Sequence, residues 1–402
     1  MSADKPGRTT GDLRGLGKLA IDATLGVTDL IEALHHNISG RSGPVPTRQG
    51  GRTGGIAGKV YDAVRGTARV TGLGLDAALS LLAPRLDALD DRLEREHIRA
   101  ALNGVMGDHL EATRNPLAIP MALRIEGRPL TLTHAALAEA LPHATGRILL
   151  LVHGLCMNDR QWRRTPAGGS NHDHGLALQS ASGFTAVYLH YNSGRHVAEN
   201  GASLDALLQV LVREWPVPIE EIAILAHSMG GLVARSAFHQ AERGSQPWAG
   251  LTRKMIFLGT PHQGAPLERG GHWFEMILGA TPFAAPFAAI GRIRSKGITD
   301  LRHGSITGKH HAHVALPVGV ACFAVAGSVL SGKSTASDVL FGDGLVPVAS
   351  AMGEHANPAR RLAFPESHKI RIDGANHMQL LSDERVYAGL ATILNPGTFP
   401  VA

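Results

Sequence analysis

The chain has 402 residues, 44% apolar, 18% charged and 4% aromatic, too apolar and too weakly charged for a disordered polymer. Its 39 Lys and Arg against 34 Asp and Glu leave a net charge of +5. No basic run or aromatic-basic stripe accompanies that excess, which excludes nucleic acid as the expected partner and leaves an anionic membrane surface open. Two cysteines, Cys156 and Cys322, cannot build a disulfide framework. The polar start, MSADKPGRTTGDLRG, lacks an apolar signal-peptide core, and no clean apolar run of membrane-spanning length follows. The expectation is a cytoplasmic chain with no signal peptide or transmembrane helix.

Residues 1–115 read as a helical extension. Leu16, Leu19, Ala20, Ala23, Val27, Leu30, Ile31 and Leu34 recur at spacings of three and four, the stripe of an amphipathic helix. A Gly/Arg/Ser/Pro loop over 41–58 separates it from a second helical stretch over 56–82. The mixed charges of RLDALDDRLEREHIRAAL, 85–102, predict a third helix with a solvated face. Such helices pack on the main domain, or dock on a lipid surface or a partner.

From residue 116 the texture changes. Two short apolar segments flank Glu126-Gly127-Arg128, a hairpin signal, and Thr133–Leu141 reads as a helix. Strands are expected at Arg147–Val152, Ala186–His190, Ile222–Ala226, Lys254–Leu258, Cys322–Ala326 and Lys369–Asp373. Helices are expected at Gly201–Trp215, Met229–Arg243 and Met378–Leu394. This alternation predicts an α/β domain over 116–402, a mostly parallel sheet with helices on both faces. Its chemistry belongs at the carboxyl ends of the strands.

The motifs fall there. Ala226-His227-Ser228-Met229-Gly230 joins an apolar strand to a helical run and has small residues two positions either side of the serine, as the strained turn of a nucleophile elbow requires. Serine needs a base, and the base an orienting acid. His377, in the loop after the last strand, is the expected base. Asp343, between Gly342 and Gly344, is the expected acid, with Asp338, Asp373 and Asp300 as competitors. The loop His153-Gly154-Leu155 after the first core strand offers an oxyanion hole: the backbone N–H groups of Leu155 and Met229. His153 reads as a hydrogen-bonding structural residue beside it, and Gly154 lets the backbone approach substrate. Tyr191 and His262 follow other strands and are expected on the rim. An apolar insertion over about 265–316 contains Trp273 and Phe274 and reads as a cap lining an acyl pocket.

Together LLLVHGL, AILAHSMGGLVARSA, FLGTPHQGAPLERG, GDGLVP and NHMQLL resemble an α/β-hydrolase of the lipase/esterase type, similar to bacterial triacylglycerol lipases and GPI inositol-deacylase-like hydrolases, over roughly residues 117–395. The resemblance implies the α/β-hydrolase fold and a Ser228–Asp343–His377 triad, with hydrolysis of an acyl or lipid ester through an acyl-enzyme and without a cofactor. It says nothing about the N-terminal region. A non-catalytic lipid- or partner-binding protein on the same fold is the alternative.

Two other motifs compete. Gly327–Ser334 matches a phosphate-binding loop letter for letter, but glycines follow too soon for the helix that would hold the phosphates. The His172/His174 and His310/His311/His313 clusters lack the spacing of a zinc site, so no metal is expected. Cys156 reads as a small buried residue.

Overall fold

The computed structural model describes residues 47–48, 52–53, 92–115, 117–165, 169–265, 295–308, 312–330 and 342–395. The chain divides into two compact units. The smaller comprises Met1–Glu96, Leu110–Ala118 and Ala285–Ile293; the larger comprises His97–His109, Ile119–Ala284 and Arg294–Ala402. In the smaller, Thr47–Arg48 pairs antiparallel with Arg52–Thr53, and the Asn115 side chain accepts the N–H of Leu117 at 2.9 Å. The two N-terminal stretches read as helices over 12–82, and Trp273 and Phe274 with most of the cap insertion, lie outside the described residues.

The larger unit is built on an eight-stranded sheet: β1 (Ala122–Ile125), β2 (Arg128–Pro129), β3 (Arg147–Val152), β4 (Thr185–His190), β5 (Glu221–His227), β6 (Thr252–Leu258), β7 (Ala321–Ser328) and β8 (Lys369–Asp373). The strand order is β8-β7-β6-β5-β3-β4-β1-β2. The six strands from β8 to β4 are parallel, and β1 joins β4 antiparallel. The β1–β2 turn places Glu126 and Gly127 at φ 50° and 75°, the two positive values a tight hairpin turn needs. Strand β3, RILLLV, is buried from Ile148 to Val152, as a central parallel strand covered on both faces must be.

Alternate side chains divide between the faces. Leu149, Leu151, Ala223, Leu225, Ile256, Phe323 and Val325 join one core with Leu178 of α3 (His174–Ser182) and Val386, Leu390 and Ile393 of α9 (Glu384–Leu394). On the opposite face α5 (Met229–Arg243) packs on β3, β5 and β6 and against α4 (Val197–Glu214). The chain steps from β3 outward to β4, then crosses back to β5 on the other side. The ends of β3 and β5 therefore form the switch point, where an open α/β sheet leaves a crevice.

The expected elements depart from the structure where tertiary contacts decide. The Met229–Arg243 helix and the Arg147–Val152 and Lys369–Asp373 strands occur as read. Helix α4 begins at Val197 rather than residue 201, because the Asp300 carboxylate accepts the Val197 N–H at 2.9 Å and so caps it from a distance. The expected helix over 378–394 breaks into a 3-10 turn, Gln379–Leu381, and α9, which starts where the Asp383 carboxylate accepts the Arg385 N–H. The third N-terminal helix is Arg92–Ala112 (α1), and its centre is not solvated: Ala100, Leu102 and Val105 are buried. A Cβ on Gly104 would lie 2.2 Å from the Cys156 sulfur, and one on Gly107 1.8 Å from the Asn192 side-chain oxygen Oδ1. These small residues let the helix backbone close onto the loops after β3 and β4.

Candidate active site

Ser228 occupies the one-residue turn between β5 and α5, at φ 53° and ψ −127°. A non-glycine residue pays a strain cost there and persists only where its surroundings enforce it. They do so by close packing. Its N–H donates to the Leu258 carbonyl at 2.8 Å. A Cβ on Gly230 would stand 2.4 Å from the Val152 oxygen and 2.5 Å from that of His153, and one on Gly154 2.9 Å from the Ser228 Cβ. The β3 loop thus lies directly against the serine.

Asp343 and His377 meet in the interior, 1% and 2% exposed. The His377 Nδ1–H donates to Asp343 Oδ2 at 2.7 Å. The other carboxylate oxygen accepts the N–H groups of Leu345 at 3.0 Å and Val346 at 2.8 Å. The His377 main chain adds a bond from its N–H to the Asp343 carbonyl at 2.9 Å. With its proton on Nδ1, the ring carries a lone pair on Nε2, the form a general base needs.

Two contacts join this pair to the serine turn. Gly259 follows Leu258, and a Cβ there would lie 3.0 Å from Asp343 Oδ2 and from His377 Nδ1 and Cε1. One short peptide therefore holds the Ser228 main chain on one side and the His377 ring on the other. His227, beside the serine, brings its ring centroid within 4.6 Å of that of His377 and donates from Nε2 to the His377 carbonyl at 3.1 Å. Burial first, then the neighbouring His377, holds His227 well below the usual imidazole range and so neutral. Sequence reading missed His227, since nothing in one dimension pairs it with a residue 150 positions away.

Beyond β3, the His153 Nδ1–H donates to the Gly154 carbonyl at 2.9 Å, and burial pulls its pKa down to about 3. Its ring stacks on Tyr191 at 4.3 Å, whose hydroxyl donates to the His153 carbonyl at 2.8 Å. The N–H of Met229, at the first position of α5, has no intrahelical acceptor, and the Leu155 N–H belongs to the loop pressed against Ser228. Cys156, at φ 60°, donates its N–H to Ser193 Oγ at 3.1 Å, and burial pushes its thiol up to about 12, so it carries no thiolate. Sequence reading also passed over Asp159, which binds Arg124 at 3.0 Å and His190 at 3.2 Å below this loop. Burial alone would raise its pKa, but His190 and Arg124 outweigh burial and hold it below the usual range. The Asn158/Gln161 capping box beside it was the available signal.

The remaining sequence candidates sit elsewhere. His262 is wedged between the rings of Phe257 and Phe364, at 4.9 and 5.4 Å. Asp300 binds His196 and caps α4. Asp373 pairs with Arg371 at the surface. Asp338 and the Ser331–Ser334 part of the phosphate-loop match lie outside the described residues. Among the described residues no three metal-ligating side chains cluster, and His174 commits both ring nitrogens, to His172 at 2.7 Å and to the Leu380 carbonyl at 3.0 Å. No helix among them is long and apolar enough to cross a membrane.

A family model described as "PGAP1-like alpha/beta domain" matches residues 143–312. Solved structures similar to the chain include the lin2722 gene product of Listeria innocua, at 16% identity over 63% of this chain and 94% of that one, TM-score 0.35. Aspergillus fumigatus lipase B matches at 12% identity over 68% and 56%, TM-score 0.37. The Pyrococcus furiosus esterase PF2001 matches at 12% over 63% and 82%, TM-score 0.40. No curated protein matches the sequence.

Proposed function

We infer that this chain, an α/β-hydrolase-fold protein of the lipase/esterase type, is a serine ester hydrolase acting through Ser228, His377 and Asp343. The observation that carries the reading is one junction: a serine held at φ 53° at the switch point of the sheet, with a buried His377–Asp343 pair at 2.7 Å across the Leu258–Gly259 peptide from it.

In the reaction, His377 Nε2 takes the hydroxyl proton as Ser228 Oγ attacks the ester carbonyl carbon. Asp343 keeps the imidazole in the required tautomer and stabilises its cation. The N–H groups of Leu155 and Met229 receive the negative charge on the tetrahedral oxygen. Collapse of that intermediate breaks the carbon–oxygen bond, and His377 returns the proton to the departing alcohol. Water, deprotonated by His377, then attacks the acyl-Ser228 ester; the acid leaves and the serine hydroxyl is restored. No cofactor enters this cycle.

The substrate class suggested is an acyl or lipid ester, resting on the apolar sequence of the 265–316 insertion and its Trp273 and Phe274. His153, Gly154, Tyr191 and His262 would shape the site from behind, through the loops they brace. Lipid contact by the N-terminal helices, with 1–115 acting as an extension of the 116–402 hydrolase domain, belongs to the same reading. Turnover of p-nitrophenyl esters from C2 to C16 tests it: Ser228→Ala lowers kcat by at least about 10³-fold. A variant within tenfold of the parent contradicts the assignment and leaves a binding protein on a hydrolase fold.

A further inference from the structure

A helix outside the sheet presses on the loop after β3. The stretch His97–His109 of α1 belongs to the larger unit, although it precedes residues 143–312, where the family model matches. Gly104 of this helix stands against Cys156, the residue after Leu155. A Cβ on Gly104 would come within 2.8 Å of the Cys156 N and 2.9 Å of its Cα. Both are main-chain atoms, so an alanine there displaces the loop itself and not merely a side chain. Glycine in a helix centre is otherwise less favourable than alanine. Local helix preference thus speaks against Gly104, and the close approach of two backbones accounts for it.

Cys156 is held from several directions. It sits at φ 60°, a conformation that a residue with a side chain keeps only where its surroundings enforce it. Its N–H donates to Ser193 Oγ at 3.1 Å, and its thiol to the Ala101 carbonyl of α1 at 3.7 Å. Ser193, 1% exposed, is flanked by residues that α1 also grips. Asn192 Nδ2 donates to the Gly107 carbonyl at 2.9 Å, and a Cβ on Gly194 would lie 2.6 Å from the Gly107 N. Ser295 Oγ donates to the Gly104 carbonyl at 2.7 Å. Three segments of the larger unit therefore converge on about two turns of one helix, and one of them carries the Leu155 N–H.

We infer that Gly104 and Ser193 are positioning residues of the oxyanion hole. They clamp Cys156 between α1 and the loop after β4, and through it hold the Leu155 N–H where the tetrahedral oxygen develops. Resting on the ester-hydrolase reading, this clamp makes α1 a working part of the hydrolase domain. Such donors act because they are preorganised: removing one costs ~10²–10³-fold in kcat, and misplacing a group by ~1 Å costs on the order of 10²-fold.

Gly104→Ala and Ser193→Ala test the clamp in the full chain. Alanine at 104 must push the Cys156 main chain by ~0.5–1 Å to reach ordinary contact. Alanine at 193 leaves the Cys156 N–H buried without its acceptor. In both, kcat for p-nitrophenyl esters is expected to fall by ~10–10²-fold with KM within about threefold. The Ki of a trifluoromethyl ketone, whose adduct with Ser228 places an oxyanion in the same hole, should rise by the factor by which kcat/KM falls. A merely structural role lowers Tm without moving Ki. Should Gly104→Ala not fold, Ser193→Ala, which adds no volume, carries the same prediction. An unchanged Ki in either folded variant, while the parent turns over and Ser228→Ala does not, overturns the clamp alone. A parent without turnover overturns the ester-hydrolase reading and the clamp with it.

Discussion

Gly259→Ala tests the junction on which the site depends, because it adds one carbon at the point where the serine turn meets the base. The new Cβ would stand 3.0 Å from Asp343 Oδ2, His377 Nδ1 and His377 Cε1. Ordinary contact lies at ~3.5–4.0 Å, so the imidazole, its carboxylate or the peptide must retreat by roughly 0.5–1 Å. The carboxylate is anchored by the Leu345 and Val346 N–H groups, which leaves the ring as the part most free to move. A displacement of ~1 Å in a reacting group costs on the order of 10²-fold in rate. Gly259 also sits at φ 56°, where a side chain costs ~1–2 kcal/mol, equivalent to a Tm decrease of a few degrees. The assay is ester turnover alongside thermal unfolding: kcat should fall by ~10²-fold while the protein stays folded and KM changes little. A variant that loses the few degrees yet keeps kcat within about threefold would refute the proposed role of the His377–Asp343 pair in turnover.

Asp343→Asn can satisfy the Leu345 and Val346 N–H groups through its amide oxygen, so the loop should persist. The amide N–H₂ then faces His377 Nδ1 and drives the ring proton to Nε2; kcat should drop by ~10⁴-fold with an unchanged Tm, and a loss under tenfold contradicts the role. His227→Phe keeps a ring against His377 but removes the donor to its carbonyl; an unsatisfied buried acceptor costs ~1–3 kcal/mol. We expect kcat to fall about tenfold at constant KM, with partial rescue in His227→Gln, and an unshifted kcat in the Phe variant would dismiss His227 as a positioning residue. His174 gives a pH test of stability. Burial lowers its pKa from 6.5 to about 4, so above pH 6.5 neither state carries the proton. Between there and about 4 only the unfolded chain takes it up, and stability falls by ~1.4 kcal/mol per pH unit. Urea unfolding at pH 7.5 and 5 should show a loss ~2 kcal/mol smaller in His174→Gln than in the parent; parallel losses would remove His174 as the cause.

The sheet was legible because burial on both faces writes itself as uninterrupted apolar runs: RILLLV in β3 and EIAILAH in β5 admit few other readings. The position of Ser228 was legible for the same reason, since it directly follows EIAILAH; His377 follows KIRID, a half-buried edge strand whose Ile-Arg-Ile alternation is a weaker signal, and Asp343 was read from the glycines on either side of it. The role of small residues at close approaches was less so. Gly104 and Gly107 lie beyond the charged run read as a helix over 85–102, yet they admit the main chain of α1 to within contact of Cys156 and Asn192. Long-range polar pairs left no trace at all. Asp300 capping α4 across 103 positions, His227 on the His377 carbonyl and Asp159 between Arg124 and His190 arise from which loops the sheet brings together. Local pattern carries no record of that juxtaposition.

The proposed activity requires a serine made nucleophilic by its surroundings, and covalent capture measures that property directly. The full chain is treated with a fluorophosphonate probe and the modified peptide is mapped by mass spectrometry. Stoichiometric labelling on Ser228 is predicted, slowed by at least about 10²-fold in His377→Ala because the base is gone. An unlabelled chain, or labelling of Ser228 at the same rate without His377, would contradict it.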